Sequence, residues 1–491
     1  MKLTEAVGAL RERRFAWYFA ARTTTSIGSA MTSVALAFAV LHISDDPGAL
    51  AQVLAAHMAA MVIFLLLGGV VADRYSRTVI MQTSHALTFL TQGMAAYLVL
   101  TGTAQIWHLV ALEAVNGAVS AFGMPAMMGV VPLVVGPDRI QQANALLSFS
   151  RSSITIVGPA LAGALVVGAG PGWALLVDSA LFLVAIPMLR QVALPGRDRN
   201  VTASPSVIAE LREGWGEFTS RTWVWLIVVA FGVLNAVHMG AIAVLGPVIA
   251  KASPVGEQGW GLALSAEAAG TVVMTLALMR TRLRRPLVAG MIGVSLIALP
   301  MLVLGLSPRT DLLIAAFFVA GAGVEVFGVG WNTSLHQHIP EAVLSRVSSY
   351  DALGSFVAMP IGAMAFGWLA TTYDHRSILL VSAIGYAVLS LATLAAPSVR
   401  GLRQVVADER RELGRDRLRV GRSGGGGAAQ QLRDALRHTQ QGEDVGHRRV
   451  QPGRVGLRLR VPGQPAGLER VRVGLAQQRF LLRCHVVLLG Q

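Results

Sequence analysis

The sequence predicts an all-α integral membrane protein, with twelve transmembrane helices in two pseudo-symmetric six-helix halves and a disordered C-terminal tail. Three observations predict it. The first is composition: of 491 residues, 54% are hydrophobic and only 14% charged, with a mean hydropathy of +0.57. Soluble domains run at roughly a quarter charged, so this chain lacks the polar material to cover a globular surface. The second is a series of apolar runs long enough to cross a bilayer core of about 30 Å, which takes roughly 20 helical residues. The third is the gathering of basic residues in alternate connections.

The elements follow in order. MKLTEAVGALRERRFAWYF carries charge up to the first apolar run, 15–43, which is too long for a signal-peptide core and reads as an uncleaved span. The next runs cover 49–71, 78–101, 105–133, 148–170 and 172–193. A long polar connection over 194–222 then precedes runs at 223–250, 258–279, 287–306, 311–338, 351–371 and 375–396. The predicted organisation is an N-terminal half over 1–193, a cytoplasmic central loop over 194–222, a C-terminal half over 223–397 and a tail over 398–491.

An internal repeat supports the division. VVPLVVGPDRIQQANALLSFSRS follows the fourth span and SLHQHIPEAVLSRVSSYDALGSF the tenth. Each places an apolar residue near Pro, then an acid, an Arg and a polar turn that opens the next span. They lie roughly 200 residues apart, as duplicated halves around a midplane site would require. A duplicated channel or receptor scaffold is the alternative.

Charge sets the orientation. With the N-terminus inside, seventeen basic residues face inward, and only Lys251, Arg309 and Arg376 fall in outer loops. Short basic loops resist translocation, so both termini are expected to be cytoplasmic, in a bacterial inner membrane. The net charge of +14 comes mostly from residue 401 onward, where 18 Arg stand against 8 Asp or Glu. That tail has no Lys and a GGGG run, and reads as disordered, as a frame-shifted product or as a regulatory extension. It lacks the aromatic interleaving of a nucleic-acid surface, so anionic lipid is the simpler partner and no nucleic acid is expected.

Other chemistry finds no residues. Cys484 is the only cysteine, which excludes an intramolecular disulfide framework. There is no G-x-x-x-x-G-K-(S/T) loop and no H-E-x-x-H spacing, so neither direct ATP use nor a metal site is expected. The sequence implies no enzyme and no cofactor.

GGVVADRYSR, at the exit of the second span, resembles the loop between the second and third helices of the major facilitator superfamily. Gly69, Asp73, Arg74 and Arg77 carry the likeness, while Ser76 and Thr78 replace a Gly and a basic residue. The resemblance implies a conformational switch in which Asp73 caps and pairs across helix ends. IVGPALAGAL in the fifth span carries Gly158, Pro159 and Gly163, similar to the antiporter motif of drug-exporting members, with Ala162 in place of one Gly. Glu325, Trp331, Pro340, Arg346 and Pro360 resemble the actinobacterial-type exporters related to enterobactin and macrolide efflux proteins. Glu113 four residues before Gly117, and Ser29 after Gly28, depart from the usual proton-coupling scheme.

Ionisable side chains inside spans are costly, about 2.5–3.5 kcal/mol at a helix centre, so each is a functional candidate. Arg22, Glu113, Asp178, Glu267 and Glu325 are the coupling candidates, with Glu325 foremost. The bland alternative is a permanent ion pair, such as Arg22 with an acid, or a helix-end carboxylate facing water. His57, His85 and His238 read as packed polar residues rather than relays. The superfamily likeness implies a cavity lined by the first, fourth, seventh and tenth helices, which offers Thr25, Ser26, Asn116, Asn235, His238 and Asn332. The function expected is proton-coupled, multidrug-type efflux of small amphiphilic, drug-like or siderophore-like molecules, by alternating access in a monomer. The alternatives are an uncoupled lysophospholipid or metabolite facilitator and a non-transporting or defective membrane protein.

Overall fold

The computed structural model describes residues 7–403, apart from 75, 129, 137–138, 193–214 and 282. The predicted tail therefore lies almost wholly outside the described residues, as does most of the central loop. Among the described residues all regular structure is helical. The first six long helices are α1 (Arg13–Ile43), α2 (Pro47–Arg74), α3 (Arg77–Leu100), α4 (Ile106–Met128), α5 (Ile140–Ala169) and α6 (Pro171–Arg190). The second six are α7 (Thr222–Lys251), α8 (Gly256–Leu278), α9 (Pro286–Leu306), α10 (Thr310–His338), α11 (Glu341–Thr372) and α12 (His375–Ala392). A π-helical stretch, Met239–Val244, interrupts α7, and turns at Leu296 and Ile297 interrupt α9.

Local chemistry sets the ends. Pro47, Pro171 and Pro286 each open a helix, where the missing N–H is one of the unpaired donors anyway. The α5–α6 turn passes through Gly170 at φ +95°, a left-handed conformation that suits glycine. Asp374 caps α12, its carboxylate accepting from the Ser377 N–H at 3.1 Å. Along α12, Val381, Ile384, Val388 and Leu391 are exposed, while Leu379, Ala383, Tyr386 and Ser390 are buried. That helical stripe is what a helix packed on one side and facing lipid on the other requires.

Among the described residues, eleven helices are long and apolar enough to cross a membrane. α3 is the twelfth long helix, and its apolar character is diluted by Ser84, His85, Thr88, Thr91 and Gln92. All five are buried, so α3 turns its polar face into the protein rather than into lipid. His85 meets the ring of Phe182 on α6 edge-on at 5.4 Å.

Two close crossings bring the helices together. On α4, a Cβ added to Gly117 would strike the carbonyl of His57 on α2. On α10, a Cβ added to Gly321 would strike the carbonyl of Glu267 on α8. Both pairs obey the repeat seen in the sequence, so the same backbone contact is made once in each set of six helices.

Contacts between the two sets gather where α1, α5, α7 and α11 finish and α2 and α8 begin. The Ala160 N–H on α5 donates to Ser265 Oγ on α8 at 3.0 Å, beside the approach of Gly261 to the Pro159 carbonyl. Gly367 on α11 packs on Ala51 of α2. Lys251 Nζ, at the end of α7, donates to Asp45 Oδ1 at 2.8 Å and to the Leu41 carbonyl.

Candidate coupling and substrate site

The α2–α4 crossing places polar groups at membrane depth. Glu113 on α4 is 4% exposed. Its Oε2 lies 2.7 Å from His57 Nδ1, and its Oε1 accepts from Gln92 Nε2 at 3.0 Å. One turn along α4, Asn116 Oδ1 accepts from Thr88 Oγ1 at 3.3 Å. Glu113 and Asn116 share one face of α4, as Thr88 and Gln92 share one face of α3. The result is a continuous buried polar seam through α2, α4 and α3.

Asp178 on α6 is 1% exposed, with one oxygen, Oδ2, 2.6 Å from Thr32 Oγ1. Thr32 Oγ1 also lies 3.1 Å from the Gly28 carbonyl of its own helix. In the second set of helices Glu325 repeats this arrangement. Its Oε1 is 2.7 Å from Thr275 Oγ1, which in turn lies 2.9 Å from the Thr271 carbonyl. A threonine hydroxyl has one proton, and here it faces two acceptors. A carboxylic acid that donates to the threonine, leaving it to donate to the helix carbonyl, satisfies both contacts; a carboxylate forces the one proton to be shared. Glu267, half-buried one crossing away, shares the α8–α10 seam through its carbonyl.

The remaining candidates divide. Arg22 is half-buried on α1, and its Nη1 meets Met127 Sδ at 2.8 Å rather than a carboxylate. Ser26 joins it in a cavity of about 200 Å³ formed by α1, α5 and the end of α4. Thr25 is buried and donates back to the carbonyls of Ala21 and Arg22. Asn235 on α7 donates to the Ser355 carbonyl on α11 at 3.3 Å. His238 keeps a buried Nδ1 that meets no hydrogen-bond partner among the described residues, and exposed Asn332 bonds its own helix at the Gly328 carbonyl. A second, apolar groove of about 860 Å³ runs between α2, α4 and α11, with Gln52, Ile361 and Trp368 among its walls.

This architecture has relatives. The sequence profile of the family described as transmembrane secretion effector matches residues 4–410. The chain belongs to that family, within the major facilitator superfamily. It is 21% identical over 292 residues to the uncharacterized MFS-type transporter YvqJ of Bacillus subtilis, covering 58% of this chain and 68% of YvqJ. To the enterobactin exporter EntS of Shigella boydii it is 23% identical over 337 residues, covering 68% of this chain and 79% of EntS. Among solved structures, a point mutant of the nucleoside transporter NupG superposes with a TM-score of 0.65 at 14% identity, covering 78% of this chain and 99% of NupG. At that identity NupG speaks for the fold alone. The protein is thus a multi-pass membrane protein of a transporter family.

In this transporter only the helical backbone of Gly69, Asp73 and Arg74 is described, with α2 ending at Arg74 and α3 beginning at Arg77. Gly158, Pro159 and Gly163 are buried on α5. Gly158 faces Ala30 of α1, and Gly163 faces the backbone of Glu257 and Gln258 on α8, so the motif lets one helix approach two others. Sequence reasoning missed four side chains that the fold brings in. His57, expected only to pack, stands on Glu113, and Gln92, Thr32 and Arg151 carried no expectation. The signal for Gln92 was the polar stripe Ser84, Thr88, Thr91, Gln92 along a span. For Arg151 it was Asn144, Ser148, Arg151 at helical spacing.

Proposed function

We propose that this protein is a proton-coupled exporter in a bacterial inner membrane, moving a small amphiphilic, siderophore-like molecule outward by alternating access. The named activity of EntS supports the substrate class. Coupling rests on one observation: Asp178 and Glu325 each meet a threonine hydroxyl already engaged with its own helix carbonyl. A proton on the carboxyl completes each chain of donors, and among the described residues no cation is bonded to either carboxyl. The two sets of helices, 1–193 and 223–397, rock against each other about the α5–α8 and α2–α11 seams, with both termini cytoplasmic. Glu113, held by His57 and Gln92, links the same cycle to α2, and the 68–77 loop biases the conformers.

Counterflow and gradient-driven uptake in proteoliposomes test this. Glu325→Gln and Asp178→Asn keep the contact with threonine and abolish proton exchange. They should retain substrate exchange and lose about a hundredfold or more of gradient-driven transport, the scale of a positioned proton-transfer group. Gradient-driven transport that survives in both, and in Glu113→Gln and Glu267→Gln, would refute coupling through these carboxyls. An uncoupled lysophospholipid facilitator is the second reading, favoured by the apolar groove between α2, α4 and α11. It predicts exchange of lysolipid indifferent to the pH gradient.

A further inference from the structure

The cavity beside Arg22 has a chemistry that the coupling scheme does not use. Two guanidinium groups line it, Arg22 from α1 and Arg151 from α5, together with Thr23, Ser26, Asn144 and Ser148. Arg22 reaches the thioether of Met127, a weak acceptor, while Tyr18, one turn before it on α1, lines the same cavity. Arg151 has no hydrogen bond or ion pair from its side chain among the described residues. Thr23 and Ser150 bond each other at 3.0 Å across the α1–α5 interface, which fixes the two walls. Tyr18 OH, donating to the Met127 carbonyl at 3.2 Å, closes the floor.

Two cations without a carboxylate repel each other and are costly at the edge of a membrane span. Elsewhere arginines near the helix ends do find acids: Arg139 bonds Glu12 at 3.0 Å, and Arg309 bonds Asp311 at 2.7 Å. The lack of an acid here, among the described residues, therefore has a use. A planar guanidinium presents paired N–H donors to an oxyanion, and the hydroxyls and the Asn144 amide around it add neutral donors. A cation would be repelled, and a neutral ligand would leave both charges unmet.

We propose that Arg22 and Arg151 form an oxyanion subsite, so that the transported amphiphile carries a carboxylate or phenolate group bound between α1 and α5. This deepens the export reading and rests on it for the word "transported", although the subsite can be tested without transport. The sequence-based expectation of a small amphiphilic substrate is sharpened accordingly: the body of the ligand is apolar and its head is anionic.

The test uses the full chain purified in nanodiscs and three probes with the same apolar body: 2-naphthoate, 2-naphthamide and 2-naphthylmethylammonium. Calorimetry or equilibrium dialysis should show naphthoate binding about tenfold or more tighter than the amide, as charge-assisted hydrogen bonds allow. The ammonium should bind weakest. Arg151→Gln, at an exposed position that folding tolerates, should erase the preference for the anion, and Arg22→Gln should do the same. Arg151→Lys should restore part of it. Equal binding of the three probes, or an anion preference that survives both glutamine variants, overturns the subsite. Counterflow of the same probes separates this from the export reading. Anion-selective binding without counterflow sustains the subsite and sinks export; counterflow indifferent to charge and to both arginines does the reverse.

Discussion

A glycine matters most where another helix already occupies the place of its side chain. Gly28 on α1 sits against Asp178 of α6, and a Cβ there would displace Oδ1, the oxygen that has no hydrogen-bond partner among the described residues. Gly117 does the same for the backbone of His57. The two positions call for different outcomes. Gly117→Val presses against rigid backbone and should destabilise the protein by about 1–3 kcal/mol or more, read as a lower melting temperature in detergent. Gly28→Ala presses on a side chain that can turn away, so it should melt within a few degrees of the parent while gradient-driven transport falls. A Gly28→Ala protein with full coupling would show that the Asp178 geometry is not needed. Neither glycine's role is legible in the sequence, because one residue type serves turns, packing and flexibility alike. Only the position of the opposing helix decides which.

At the scale of elements, the sequence is legible where hydropathy carries the signal and opaque where it does not. The twelve runs of apolar residues correspond to the twelve long helices, but α5 and α11 begin earlier, at Ile140 and Glu341, than the apolar runs that announce them. Their first turns hold Gln141, Gln142 and Asn144, or Glu341, Ser345 and Arg346, which helices accept and a hydropathy search ignores. The fourth run extends to 133, whereas α4 stops at Met128 and a separate turn with Pro132 follows. The pairing of helices is visible only in part. The small residues of 158–163 announce a close approach, and the structure supplies the partners: α1 on one side and α8 on the other. Gly261 on α8 completes the second contact against the Pro159 carbonyl. Gly261→Leu should therefore wedge α5 from α8. The expected result is an inserted protein that melts lower, since the leucine too presses on backbone, and that exchanges more slowly, as the proposed sliding of this seam requires. Cysteines introduced at Ala160 and Ser265 should lose cross-linking in that variant. Undiminished cross-linking with undiminished exchange would count against a sliding α5–α8 seam.

For the whole molecule, the decisive contact is between the two sets of helices at the end where α7 finishes. Asp45, in the turn between α1 and α2, accepts from Lys251, and that hydrogen bond, reinforced by the lysine charge, holds its carboxyl below the ordinary value of 3.8. A lowered value means that the pair is formed above the normal carboxylate range and is lost only as pH falls through the lowered one. From about pH 5 to about pH 8 the clasp should therefore be insensitive to pH, and any pH dependence of transport in that window comes from other groups. Salt is the lever instead, since Asp45 is 89% exposed and its partner 33%. At about 1 M salt the screening length is near 3 Å, which leaves little of the attraction. Ala51, buried where α2 meets Gly367 of α11, reports the state of this end once replaced by cysteine in a Cys484→Ser background. Labelling of Ala51→Cys by a membrane-impermeant maleimide added outside should be slow in the parent and several-fold faster with Lys251→Met. It should also quicken with salt, and its rate relative to a freely exposed reference cysteine, which cancels the thiol's own ionisation, should stay level between about pH 5 and about pH 8. Faster labelling relative to that reference on mild acidification, with Lys251→Met behaving as the parent, would assign closure of this end to other groups and leave the Asp45–Lys251 pair without a part in it.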